Sequence, residues 1–454
     1  MCRSLAGMTK PRIPTAPAIY ASLICALCFL SPRESRGQIS SAERVPVREA
    51  YDSHLKAANA ARTAGDWATV RRHAAAVDTL FNGNPSTLMA LARAAARLGD
   101  TTEAMRIVRD VVSSGVVRNL SADSDLAPLR GLPEWSQLVS ANEANRKSVG
   151  STRALFALPS VDYLAEDIVW DKSRDRFLVS SVRRGTIVAV NRNGAISELV
   201  GGGKLKTWGM FGLAIDSVTS RLWATTVAMP HVDGYMPADS GKSAVARFDL
   251  GTGALQKRYD LPATKRGNSP GDIAIAPNGS LYISDSRSGV IYAIEAGVDS
   301  LSVLVPEGTF MSPQGPAVSP DGRTLYVADY IRGLARVDLE SGAVSWIRHG
   351  RNVALSGIDG LTVAGPRTLI AIQNGLLPHR VLRLTLDPSG GSIISAEVLA
   401  QDTAVIREPT HGLIMGDEFY FIANSGWDGF GDDGALRKDH GLTPPAVVAV
   451  RIRK

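Results

Sequence analysis

A chain of 454 residues exceeds what one ordinary hydrophobic core holds, so two folded units are expected. Its 50 Lys and Arg outnumber 44 Asp and Glu, but beyond the first 37 residues 45 basic residues face 43 acidic ones, which removes the electrostatic case for nucleic-acid binding. The three cysteines, Cys2, Cys25 and Cys28, all lie in that opening segment, so nothing after it supplies a thiol for catalysis, a disulfide or thiolate metal ligation.

Residues 1–37 read as a secretory signal. Arg3, Lys10 and Arg12 precede a mostly apolar run from Ala16 to Leu30, which falls short of the roughly 20 residues that span a bilayer. Ser35 and Gly37 supply small residues before Gln38, so cleavage near Gly37 is expected, with export to a periplasm or the extracellular space and no membrane span in the mature chain. Ile24 and Leu27 stand where a lipid-anchoring signal needs a small residue, which argues against an anchor at Cys25 or Cys28.

A helical domain is expected over residues 45–145: from Val45 to Gly115 the chain is rich in Ala, Leu and Arg, with apolar residues at three- and four-residue steps that predict amphipathic helices. Gly65-Asp66 recurs as Gly99-Asp100, a spacing of 34. The segment resembles tetratricopeptide repeats in that period and in Ala90, Ala94, Leu98, Gly99, Asp100 and Ala104; a plain helical hairpin is the alternative. Two repeats are fewer than a free-standing array needs, so Asp125 to Val139 is expected to cap the helices, or the segment to lean on its neighbour. The resemblance implies a protein or peptide partner here rather than catalysis.

After Gly150 the pattern switches to alternating β-branched and aromatic residues with turn dipeptides between them. One apolar strand recurs six times, beginning at Phe177, Leu222, Leu281, Leu325, Leu369 and Tyr420. The separations of 45, 59, 44, 44 and 51 residues suit four-stranded blades, and residues 152–454 are expected to form a six-bladed β-propeller behind the all-α segment. Each copy follows an inner strand, starting at Asp167, Gly212, Asp272, Gly315, Gly360 and Gly412, and precedes a third strand; the chain ends before a fourth strand for blade six. Arg153 to Leu158 has the pattern of that missing strand and is expected to close the ring.

One residue precedes each inner strand: Glu166, Phe211, Gly271, Gln314, Asp359 and His411. These converge at one end of the channel, where apolar residues would bury better. A water-lined channel is one reading of so polar a set. The other is a divalent metal site in which Glu166, Gln314 and Asp359 offer oxygen ligands, with His411 and Asp272 nearby; Ca²⁺ suits such donors first, with Mg²⁺, Mn²⁺ and Zn²⁺ as the other candidates.

At these residues the chain resembles the gluconolactonase, senescence marker protein and luciferin-regenerating enzyme family. Glu166-Asp167-Ile168-Val169-Trp170 is similar to that family's first-blade Glu-Gly-Pro-Val-Trp, and Asp359-Gly360 to its fifth-blade Pro-Asp-Gly. The resemblance implies a six-bladed propeller with one divalent cation in the channel and hydrolysis of lactones, and it places the acidic metal ligands at Glu166 and Asp359. The family's fourth-blade Asn is Gln314 here, and its third-blade Asn is Gly271, with the following Asp272 retained. The expected protein is therefore an exported metal-dependent hydrolase of lactonase type, acting on a small cyclic ester at the channel mouth. Asp359 or a metal-bound water is expected as base or nucleophile, His411 as a proton donor or substrate ligand, and Asp272 as a substrate contact. A non-catalytic exported scaffold that binds a ligand or protein is the competing expectation.

Two other patterns carry less. Gly267-Asn268-Ser269-Pro270-Gly271 matches Gly-x-Ser-x-Gly, but a strand rather than a helix follows. Gly429 to Gly434 matches Gly-x-Gly-x-x-Gly, yet Asp432 and Asp433 would repel a pyrophosphate, and it reads as a surface loop. That loop belongs to an insertion, Gly426 to Pro445, which with Ala228 to Ser243 is long enough to overhang the channel as a lid. The remaining histidines show no zinc-type spacing and are expected to be solvated for the most part.

Overall fold

The computed structural model describes residues 46–81, 83–201, 208–401, 404–437 and 441–453; the export segment expected over 1–37 lies outside the described residues. Five α-helices come first among them: α1 (Val47–Thr63), α2 (Trp67–Phe81), α3 (Pro85–Arg97), α4 (Thr101–Ser113) and α5 (Trp135–Ala144). The repeated Gly-Asp pair is the turn inside each helical hairpin. Gly65 and Gly99 end a helix at φ +73° and +82°, where a side chain is strained. Asp66 and Asp100 then start the next helix, accepting the backbone N–H of Thr69 at 3.0 Å and of Glu103 at 3.2 Å. Leu126, Leu129, Trp135 and Leu138 pack onto α3 and α4, so the stretch after Asp125 caps the second hairpin as expected. Among the described residues no helix is long and apolar enough to cross a membrane.

The rest of the described chain is a six-bladed β-propeller, each blade a four-stranded antiparallel sheet. Blades one to five use consecutive strands. Blade six takes Gly412–Met415, Glu418–Asn424 and Ala446–Arg451 from the end of the chain and its outer strand, Arg153–Ala157, from the beginning. Arg153–Ala157 pairs antiparallel with Ala446–Arg451, which closes the ring and covers the edge left by the last strand.

The apolar strand that repeats is buried on both faces, which explains its near-continuous hydrophobicity. In blade five, Leu369 and Ala371 pack toward blade four with Tyr326 and Leu334, while Ile370 and Ile372 pack toward blade six with Phe419 and Phe421. The hydrophobic cores thus lie between blades and the polar residues collect on the axis. From Glu43 to Lys454 the chain is one compact unit, so the helices and the propeller pack as a single body.

Candidate metal centre

Five of the six inner strands carry the same irregularity. In blades one to five the pairing with the second strand slips so that two residues face one: Glu166-Asp167, Phe211-Gly212, Gly271-Asp272, Gln314-Gly315 and Asp359-Gly360. Such a β-bulge bends the strand and re-aims its side chains. The polar ring expected from the sequence is therefore a ring of bulges.

The second bulge position decides how closely the next blade approaches. A Cβ added to Gly212, Gly315 or Gly360 would lie 2.5, 2.5 or 2.4 Å from a backbone oxygen of the following blade. Blades one and three carry aspartate there instead. Asp167 uses its carboxylate as a bridge, accepting the N–H of Ile168 at 2.7 Å and that of Leu213 in blade two at 2.6 Å.

Glu166, Asp359 and His411 come together, each offering one ligand atom within 4.8 Å of the others, and all three are buried. Asp272 stands across from them, its Oδ1 3.1 Å from His411 Nε2. Both ring nitrogens of His411 and Oδ2 of Asp272 are buried without a hydrogen-bond partner. Gln314 donates from Nε2 to Ser312 Oγ at 3.3 Å, and its amide oxygen lies 3.7 Å from where a Cβ on Gly271 would stand. The longer glutamine leans toward the position that lacks a side chain.

Two donors that the inner strands do not contain hold the carboxylates. Trp427 donates Nε1–H to Glu166 Oε2 at 2.6 Å, and Asn374 donates to Asp359 Oδ2 at 2.7 Å and to the Pro409 carbonyl at 2.9 Å. The Tyr330 hydroxyl in turn donates to Asn374 Oδ1 at 3.0 Å. All three follow second strands and so escape an alignment of inner strands: Tyr330 and Asn374 are each the first residue after theirs, Thr324–Asp329 and Thr368–Gln373, and Trp427 lies in the blade-six insertion.

Burial dominates the electrostatics. It pushes Asp359 up to about 6, with His411 acting against the rise, and Asp167 likewise up to about 6. Burial and then the charge of Asp359 hold Glu166 well above the usual carboxylate range. For His411 burial works against the proton, but Asp272, Asp167 and Asp359 outweigh it and raise its pKa. Four buried carboxylates around one imidazole, with polar atoms left unpaired, are a donor set that a cation would complete.

The two insertions meet over blades one and two. Gly434 lies so close to the Pro230 carbonyl that a Cβ would stand 2.2 Å from it, and Arg183 donates to the carbonyls of His231 and Gly434. The segment expected to be a surface loop is thus a packed cover that carries Trp427 to Glu166. His231, expected to be solvated, is buried against Trp427 at a ring separation of 5.2 Å. Ser269 is followed by the strand Pro270–Ile275, so its surroundings are not those of a hydrolase nucleophile.

Residues 164–366 match the family model described as the SMP-30/Gluconolactonase/LRE-like region. The match contains Glu166, Asp272, Gln314 and Asp359 and stops short of His411. Solved structures similar to the chain include a gluconolactonase from Xanthomonas campestris, at 14% identity over 67% of this chain and 97% of that one, with a TM-score of 0.42. A luciferin-regenerating enzyme matches at 14% identity over 67% and 95%, with a TM-score of 0.46. The calcium-binding protein regucalcin from Agrobacterium tumefaciens matches at 18% identity over 67% and 96%, with a TM-score of 0.46. No curated protein matches the chain.

Proposed function

We propose that the channel mouth holds one divalent cation and hydrolyses a small cyclic ester of the sugar-lactone kind. The observation that carries this reading is the buried excess of carboxylate over imidazole at Glu166, Asp167, Asp272, Asp359 and His411. The SMP-30/gluconolactonase/LRE-like region supports the choice of substrate class. Glu166 and Asp359 would hold the ion. Each has one oxygen tied to a protein donor, Trp427 or Asn374, and one oxygen left to bind.

When bound, the ion polarises the ester carbonyl. Asp359, held in place by Asn374, accepts the proton of the attacking water as the water oxygen bonds to the carbonyl carbon. The ring C–O bond then breaks, and the proton passes from Asp359 to the released alkoxide, leaving a hydroxy acid. Export, read from residues 1–37, belongs to the same proposal, as does the helical segment's service as a contact for another protein.

The test begins with chelated protein titrated calorimetrically with Ca²⁺, Mg²⁺, Mn²⁺ and Zn²⁺, followed by a lactone panel with and without the ion. One binding site and ion-dependent turnover, lost in Asp359→Asn, are expected. Absence of binding by all four ions overturns the reading; binding without turnover of any lactone leaves the scaffold alternative in its place.

A further inference from the structure

Asp167 and Asp272 occupy the same bulge position in blades one and three, yet they do different things. Asp167 is held by the N–H of Leu213, the first residue after the bulge of the next blade. The corresponding residue after the bulge of blade four is Pro316. Proline has no backbone N–H. Asp272 therefore has no donor where Asp167 has one; its Oδ2 stays unpaired and its Oδ1 faces His411 Nε2 at 3.1 Å.

Both ring nitrogens of His411 are buried without a hydrogen-bond partner. Asp272 Oδ1 thus stands beside the ring, and His411 offers a ring nitrogen within 4.8 Å of the ligand atoms of Glu166 and Asp359; an imidazole that binds a metal is usually steered by such an outer carboxylate. Gly271 meanwhile removes a side chain from the ring. We propose that His411 is the third protein ligand of the ion and that Pro316 makes it so by releasing Asp272 to orient its ring. The donor set thereby becomes two carboxylates and an imidazole, which suits Zn²⁺ better than Ca²⁺. This rests on the mouth being a cation site, and goes beyond it in naming the ligand, the ion and the residue responsible.

Competitive calorimetry with Zn²⁺ and Ca²⁺ on the full chelated chain tests it. The wild type binds Zn²⁺ more tightly than Ca²⁺. His411→Asn lowers Zn²⁺ affinity by at least tenfold with little change for Ca²⁺, and Pro316→Ala, which restores an N–H for Asp272, lowers Zn²⁺ affinity by about 10- to 100-fold, the range typical of a lost outer partner. Co²⁺ bound to the wild type gives a visible d–d spectrum that shifts in His411→Asn, a readout independent of turnover. Circular dichroism checks that each variant is folded, and Asp272→Asn, which keeps the shape and removes the charge, repeats the loss if Pro316→Ala does not fold. Ca²⁺ bound as tightly as Zn²⁺, or a selectivity unchanged in His411→Asn, overturns the proposal while leaving a cation site in place; absence of any ion overturns both.

Discussion

Asn374 and Trp427 perform the same service for different carboxylates, each giving one N–H to one oxygen. Removing such a donor leaves a buried carboxylate oxygen unpaired, which costs about 1–3 kcal/mol. Asn374→Ala should therefore lower the urea midpoint by that order and weaken ion binding, because Asp359 is no longer fixed. Tyr330→Phe, which removes the hydroxyl bonded to Asn374 but leaves Asn374 on Asp359, should do less on both counts. A pH effect belongs to Glu408, which accepts the N–H of Asp428 at the base of the cover at 2.8 Å and which burial pushes up to about 7. The unfolded chain releases this proton near pH 4.5, so between about 4.5 and 7 the folded state binds the proton and the unfolded state does not. Stability should fall as pH rises through that window, and Glu408→Gln should flatten the dependence of melting temperature on pH there; an unchanged slope would count against the assignment. Glu166, Gln314, Asp359 and His411 were legible in the sequence because they share a register beside a recurring strand. Asn374, Trp427 and Tyr330 were not, because the position that Tyr330 and Asn374 share after the second strand is Val182, Ser286 or Ser425 in other blades and so shows no common chemistry, and Trp427 comes from an insertion that blade six alone carries.

The strands themselves were legible because each second strand is buried on both faces and reads as an apolar run. The bulges were not: one extra residue in an inner strand changes neither composition nor spacing enough to show, yet it is what brings Glu166 and Asp359 to the axis. Glycine at the second bulge position has a steric reason rather than a torsional one. Gly360 is absent from the glycines at positive φ, and an added Cβ would lie 2.4 Å from the Thr410 carbonyl. Gly360→Ala should thus force blades five and six apart at the mouth and cost about 1–3 kcal/mol, the usual range for overpacking, measured by chemical denaturation. Loss of ion affinity should accompany it, since Asp359 and His411 flank the displaced backbone. Stability and affinity both equal to wild type would mean the blades tolerate the shift and the glycine is not what sets their spacing.

Taken as one body, the molecule places its helices on the turns at the site end of blades four and five. Phe81 packs on Met311, Asn84 Nδ2 donates to the Ile331 carbonyl at 2.8 Å, and Val117 N–H donates to the Leu377 carbonyl at 2.7 Å. That the segment leans on its neighbour could be argued from its shortness; where it leans could not, since contacts between residues more than 200 positions apart leave no local trace. After α5 the chain is tied to blade five, Gln401 Nε2 donating to the carbonyls of Asn145 and Lys147 at 3.2 and 2.7 Å, before it enters blade six as the closing strand. Docking of the helices and closure of the ring are therefore coupled through one short stretch of chain. Arg380 is the buried joint of that interface. Its guanidinium donates twice to the Ser114 carbonyl, both at 3.2 Å, and once to Gln373 Oε1 at 2.6 Å, and with no carboxylate beside it burial alone pulls its pKa down to about 10. Arg380→Ala would leave the Ser114 carbonyl and Gln373 Oε1 without these bonds, at about 1–3 kcal/mol for each group left unpaired. Calorimetry of the wild type should show one cooperative transition. In Arg380→Ala the helical segment should melt ahead of the propeller as a separate, earlier transition, and a single transition at the wild-type temperature would show that the two parts are joined by something other than this arginine.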